Sequence, residues 1–313
     1  MMTDPQTDPD QSVRDAIQTL PFPFNQHPFC AYESIEPRID RMRVLIVDNL
    51  LRNEGDLSEV AYREWGDEVK LQLRREREIA ALALENIVSN VARLVKEPVT
   101  QVVPLSELAQ SESAFRPDAI VLSGTLRDFD FYKPEILENF ATFIRVTQTP
   151  VLGICGGHQL VGLGMGVRVI TLDKHEQRER RNNRLIEYQY RFVRIVDSSD
   201  PIFAGFDSPR TGPLADHAQP RILRVWQNHG LQIDRLPEGF KLLATSYLCR
   251  NQMMVKRSGG QLIYTVQFHL EKSFEDWRKN RTRWEHQNES RDGRRLFESF
   301  LRLALEHGAG KKI

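Results

Sequence analysis

The chain has 313 residues, and its 43 basic side chains are matched by 43 acidic ones. That balance presents no net charge to a nucleic acid or a membrane surface, and no apolar run approaches the length of a transmembrane helix. Three cysteines, Cys30, Cys155 and Cys249, are odd in number and far apart, which argues against a disulfide framework and for a cytoplasmic enzyme.

In chain order, residues 1–40 read as an N-terminal arm. Its first part is polar with Asp-Pro repeats and predicts disorder; residues 20–28 are extended and aromatic, suited to docking on the body or a partner. No apolar core of a secretory signal is visible there. Residues 41–313 read as one α/β domain. Residues 42–48 form an apolar, β-branched run of the kind buried in parallel sheets. The charged stretch 57–96 is helical in pattern, with Leu71, Ile79, Leu82, Ile87, Val91 and Leu94 recurring at three- and four-residue steps. From about Asn86 onward it predicts the first crossover helix. Strands follow at 100–103 and 119–122, a helix at 134–146, and another strand before Cys155. This alternation predicts a doubly wound, mostly parallel sheet flanked by helices, with reactive groups at the carboxyl ends of strands. Residues 191–196 and 240–245 predict a small antiparallel extension, and 294–305 an amphipathic closing helix.

The segment Pro150-Val-Leu-Gly-Ile-Cys-Gly-Gly-His-Gln159 puts Cys155 at the centre of a Gly-x-Cys-x-Gly elbow between strand and helix. Such a turn is tight, so small residues must flank the nucleophile. A helix N-terminus favours a thiolate, and the N–H that follows can serve a developing oxyanion. A lone buried cysteine is usually an inert small hydrophobe, so the assignment needs a second element. Residues 261–268 supply it as a strand that delivers His269 and Glu271. Residues i and i+2 of a strand project to one side about 6.6 Å apart, so Glu271 can hold the tautomer of His269. Nucleophile, base and orienter are then Cys155, His269 and Glu271.

Four separated blocks, Leu122-Ser-Gly-Thr125, Gly153 to Gln159, Trp226-Gln-Asn-His-Gly230 and Gln267-Phe-His-Leu-Glu271, make the chain resemble the class I glutamine amidotransferase family across residues 42–305. The resemblance implies that family's flavodoxin-like fold, with no cofactor or metal, and makes residues 55–85 a helical insertion: a solvated face or, alternatively, a partner-docking element. It implies attack of Cys155 on the side-chain amide of glutamine, with His269 serving the ammonia and then water. Gly156 and the Gly124–Thr125 turn correspond to the oxyanion donors. Gln159, Asn228, His229 and Gly230 correspond to residues that hold the substrate's α-amino-acid end, whereas His158 reads as structural. Two departures stand out. Thr125-Leu-Arg-Asp128 replaces a glycine followed by Gly-Pro-Gly, which is acceptable if Thr125 need not adopt positive φ; Leu270 replaces a proline that only presets the backbone.

No G-x-x-x-x-G-K-[ST] loop occurs in these residues. The expected substrate is glutamine or a γ-glutamyl compound, with ammonia passing to a separate ammonia-accepting synthetase subunit or being released. The alternative is a stand-alone γ-glutamyl hydrolase with the same triad. A third reading, an inactive regulatory homologue, would require loss of a triad member, and all three are present. Arg178, Arg180, Arg181 and Arg184 read as a solvated loop, or as a site for an anionic acceptor or partner. The run Gly162-Leu-Gly-Met-Gly166 lacks the G-x-G-x-x-G spacing of a dinucleotide loop, and the histidines lack metal-ligand spacing.

Overall fold

The computed structural model describes residues 36–204, 206, 222–272 and 291–310, so the aromatic stretch 20–28 and Cys30 lie outside the described residues. Strand β1 (Ile39–Asp48) divides its side chains between two cores: Val44 and Ile46 enter one, Leu45 and Val47 the other. Alternation is the period of extended chain, and burial on both faces suits a continuous apolar run.

The other strands in chain order are β2 (Val95–Pro104), β3 (Ala119–Leu122), β4 (Val151–Ile154), β5 (Val169–Thr171), β6 (Glu187–Ile195), β7 (Ile222–His229), β8 (Leu231–Ile233), β9 (Lys241–Thr245), β10 (Met253–Lys256) and β11 (Ile263–Val266). The helices are α1 (Glu59–Trp65), α2 (Val69–Leu94), α3 (Leu108–Phe115), α4 (Pro134–Val146), α5 (Gly156–Gly164) and α6 (Arg291–Gly310). One large sheet runs β2-β1-β3-β4-β11-β10-β9-β6-β7, and β5 pairs with β8 in a small second sheet. The first five strands of the large sheet are parallel; the last four continue it in antiparallel fashion. The doubly wound sheet with its antiparallel extension is as the sequence predicts.

One face is covered by the C-terminal half of α2 and by α6, whose Leu296, Phe297, Phe300 and Leu301 are buried. The other carries α4 and α5. The charged stretch 57–96 is not one helix. It breaks at Gly66, whose φ of +50 suits glycine, and the rest runs directly into β2.

The buried stripe of α2 also differs from the one expected. Val69, Leu73, Glu76, Ala80, Leu84, Ile87, Val91 and Leu94 face inward, while Ile79 and Leu82 point outward. Two charged or small residues, Glu76 and Ala80, sit on the inner face, so hydrophobicity chose the wrong phase before about Asn86, whereas Ile87, Val91 and Leu94 beyond it are buried as expected. Val69 and Leu73 join one core and Ala80 to Leu94 the other, so this helix links the two sides of the sheet.

This phase is testable. Leu73 is 1% exposed and Leu82 63% exposed. Leu73→Ala should lower unfolding stability by about 2–5 kcal/mol, and Leu82→Ala should stay within about 0.5 kcal/mol of the wild type in urea titrations.

Candidate active site

The turn from β4 into α5 holds Cys155 at φ 50 and ψ −103, a region that non-glycine residues rarely occupy. Two backbone bonds fix it there: Cys155 N–H donates to Val266 O at 2.8 Å, and Gln159 N–H donates to Cys155 O at 3.1 Å. Gly156 follows at the first helical position. A Cβ on it would lie 2.6 Å from Thr125 Cβ, so the glycine is what lets the Ser123–Thr125 turn close over the elbow. Thr125 is not among the non-glycine residues with positive φ. The threonine therefore takes the turn at ordinary φ, with its backbone nitrogen close against Gly156, 2.3 Å from where a Cβ on that glycine would lie.

His269 comes from the end of β11. Its N–H donates to Trp226 O at 2.8 Å, and its ring Nδ1 lies 2.7 Å from Glu271 Oε1. Glu271 is only 5% exposed, and Asn90 of α2 donates to its backbone carbonyl at 2.7 Å. Burial works against a charged imidazole, but the Glu271 carboxylate and the Cys155 thiol outweigh it and push the His269 pKa well above its ordinary value. Gly124 backs both groups: a Cβ there would lie 3.4 Å from His269 Cε1 and 3.8 Å from Cys155 Cβ.

Cys155, His269, Thr125, Gln159, Asn228, His229 and Gly230 line one cavity of about 430 Å³. Glu271 stands behind His269, and Gly156 lies beneath Thr125. The His229 imidazole is committed to the scaffold, with Nδ1 2.9 Å from Leu231 O and Nε2 3.1 Å from Glu187 Oε2. His158 is fully buried, bonded to Thr265 at 2.8 Å, and burial pulls its pKa down to about 3. It is neutral and packed into the scaffold, as expected.

Arg178 and Arg180 of the cationic loop are exposed, as a solvated loop predicts. Arg181 and Arg184 do line the cavity, but each is already paired. Arg184 forks onto both oxygens of Asp128 at 2.8 Å, while Arg181 reaches Asp128 at 2.7 Å, Asp130 at 2.9 Å and Glu64 at 3.0 Å. Asp130 is partly buried, which would raise its pKa, yet Arg181 and Arg178 hold it below the ordinary carboxylate value. The Arg184 stem also crosses Gly230, where a Cβ would lie 2.5 Å from Arg184 Cδ. Bidentate guanidinium–carboxylate pairs are both strong and directional, so these arginines fasten the loop to the cavity rim.

Arg127 does the same for α2. Its Nε donates to Glu76 Oε1 at 2.6 Å and a terminal nitrogen donates to Gln72 at 3.0 Å, both on α2. Glu76 is 1% exposed. The Leu126-Arg-Asp128 departure thus carries the contacts that hold two chain segments against the site. Glu76 and Asn90 gave no sequence signal, because each reads as an ordinary helical polar residue.

Comparison with known proteins agrees with this geometry. The family model described as glutamine amidotransferase class-I matches residues 83–285, which include every residue expected in the site. The chain belongs to the class I glutamine amidotransferases. Over 175 residues it is 33% identical to the glutamine-hydrolyzing GMP synthase subunit of Thermococcus kodakarensis, covering 55% of this chain and 75% of that protein. The Pyrococcus furiosus protein of the same description is 32% identical over 175 residues, covering 55% and 74%. A Thermoplasma acidophilum crystal structure, of a protein described as a candidate GMP synthase subunit, shares the fold with a TM-score of 0.53 and 23% identity, over 87% of this chain and 98% of that one. No helix among the described residues of this amidotransferase is long and apolar enough to cross a membrane.

The His269–Glu271 pair makes a pH-dependent prediction. A histidine whose pKa rises on folding contributes stability that is fully present below its unfolded value and is lost as pH climbs through the folded one. Glu271→Gln should therefore lower the pH at which the His269 Cε1 proton titrates by NMR. The stability gap to the wild type should be widest near pH ~6 and narrow as the medium becomes alkaline.

Proposed function

We propose that Cys155, His269 and Glu271 hydrolyse the side-chain amide of L-glutamine through a cysteine thioester, releasing glutamate and ammonia for a separate acceptor-activating chain. One observation carries this reading: a strained elbow cysteine and a histidine backed by a buried glutamate share one cavity, with Cys155 and His269 both lining it.

In the first step the Cys155 sulfur attacks the amide carbon, and the amide oxygen takes up negative charge. The N–H groups of Gly156 and Thr125 are the donors assigned to receive it, since preorganised dipoles lower a barrier most where charge develops. His269, kept protonated by Glu271, gives its proton to the departing ammonia. The neutral imidazole then takes a proton from water, whose oxygen attacks the thioester carbon and frees the sulfur. Glu271 keeps Nδ1 occupied, so Nε2 is the working nitrogen. Gln159 and the Asn228–Gly230 segment lie on the cavity wall where the α-amino-acid end of glutamine would rest. Those positions support a binding role; Gly230 also has the structural task of admitting Arg184.

The names of the Thermococcus and Pyrococcus relatives describe a glutamine-hydrolysing subunit of a synthase. That is the support for assigning ammonia acceptance to a second polypeptide here.

Glutamate release by the purified chain tests the reading, with L-glutamine and a γ-glutamyl peptide compared side by side. Release from glutamine is expected, and Cys155→Ala should reduce it by at least about 10³-fold. A preference for the peptide would replace the amidotransferase reading by a γ-glutamyl hydrolase. Silence toward both, with Cys155 still labelled by an electrophilic glutamine analogue, would mean that a partner gates the site. Absence of labelling would refute the catalytic assignment.

A further inference from the structure

Gln267 is wholly buried between the nucleophile and the pocket wall, and the triad chemistry leaves it without a task. Its side-chain Nε2 donates to Cys155 Sγ at 3.7 Å, and its Oε1 accepts from Gln159 Nε2 at 3.2 Å. The same Gln159 nitrogen donates to the backbone carbonyl of Leu231 at 3.0 Å.

The direction of this chain is forced from one end. A backbone carbonyl only accepts, so Gln159 must turn its NH₂ toward Leu231. The second N–H of that NH₂ then meets Gln267, which must answer with oxygen. The Gln267 NH₂ is left facing sulfur. The reverse orientation would set two NH₂ groups against each other in a buried site, leaving donors unsatisfied. The main chain cannot adjust either, because Gln267 N–H donates to Gln252 O at 2.8 Å.

We infer that Gln267 is a further catalytic residue of this site: its amide N–H holds the Cys155 sulfur and favours its ionised, attacking form, in an orientation imposed through Gln159 by the Leu231 carbonyl. An N–H aimed at sulfur is a better partner for S⁻ than for S–H, whose own proton competes for the space. The relay also connects substrate to nucleophile. Gln159 lines the cavity and has spent both N–H bonds, so Oε1 is the atom left to meet a ligand donor. A ligand that takes Oε1 locks Gln159, and with it the amide that holds the sulfur. The inference rests on Cys155 being the nucleophile.

The test is the pH profile of Cys155 alkylation by iodoacetamide, read as modification of the Cys155-containing peptide in the full chain. Gln267→Met fills similar space without a donor. It should slow alkylation near neutral pH about tenfold and move the half-maximal pH up by about one unit. Gln267→Glu, which sets a carboxylate beside the sulfur, should move it further. Gln159→Leu leaves Gln267 in place but removes its anchor, and should produce a smaller shift in the same direction. The other ionisable groups near the sulfur, His269 with Glu271, His229 with Glu187, and Cys249, are the same in all four proteins, so the shift reports the amide. Superimposable profiles for wild type and for those variants whose thermal melts match it would overturn the inference. If Gln267→Met and Gln267→Glu fail to fold, the Gln159→Leu profile decides alone. Wild-type labelling and glutamate release report separately on the nucleophile itself, so failure of that assignment would not be mistaken for failure of this one.

Discussion

Everything at this site depends on the parallel register between β4 and β11. Ile154 lies opposite Val266, so the next residues out of the two strands, Cys155 and Gln267, emerge side by side at the carboxyl edge, with His269 two residues further on. The bond from Cys155 N–H to Val266 O extends that ladder by one step into the elbow. A slip of one residue would send alternate side chains to the opposite face, parting the sulfur from both the amide and the imidazole. The apolar side chains of β4 and β11 enforce the register because both faces of the sheet are buried: Leu152, Ile154, Tyr264 and Val266 in one core, Val151 and Ile263 in the other.

Around this fixed centre the chain has rebuilt the outer wall with charge pairs. Where the family turn is made of small residues, this one carries Arg127 and Asp128. Each is held by a segment distant in sequence, the first by Glu76 of α2 and the second by Arg181 and Arg184 of the loop before β6. Glu76 is buried, which raises its pKa, and Arg127 opposes that rise. Removing one partner of such a pair would leave the other charge poorly solvated, so α2, the arginine loop and the turn form one mutually dependent rim. Thr125 can stand in for glycine because the turn asks nothing of it beyond ordinary φ.

Family membership and the chemistry that goes with it were legible in short, local patterns. The Gly-x-Cys-x-Gly elbow is readable because a positive-φ turn at a nucleophile admits only small neighbours, and the His-x-Glu pair because a strand has a period of two. The central parallel strands β1, β3 and β4 were legible as unbroken apolar runs. The α2 stripe was not. Ile79 and Leu82 look like core and are exposed, while Glu76 looks like surface and is 1% exposed. A helix that passes from one core to the other has no single apolar face to read, and its buried acid is explained only by an arginine 51 positions away.

The sequence by itself therefore determined the elbow cysteine, the His-x-Glu pair and the α/β frame that carries them, since each rests on residues near one another along the chain. Only the tertiary structure decided that the arginine-rich loop is spent on Asp128 and Asp130, that His229 is committed to Glu187, that Gly230 admits an arginine stem, and that Gln267 turns its NH₂ to the sulfur. The physical reason is one of range. Backbone conformation and strand or helix period are set by neighbours a few residues away. The partner of a charge, the orientation of an amide and the space over a glycine are set by whatever distant segment the fold brings within about 3 Å, the reach of a hydrogen bond.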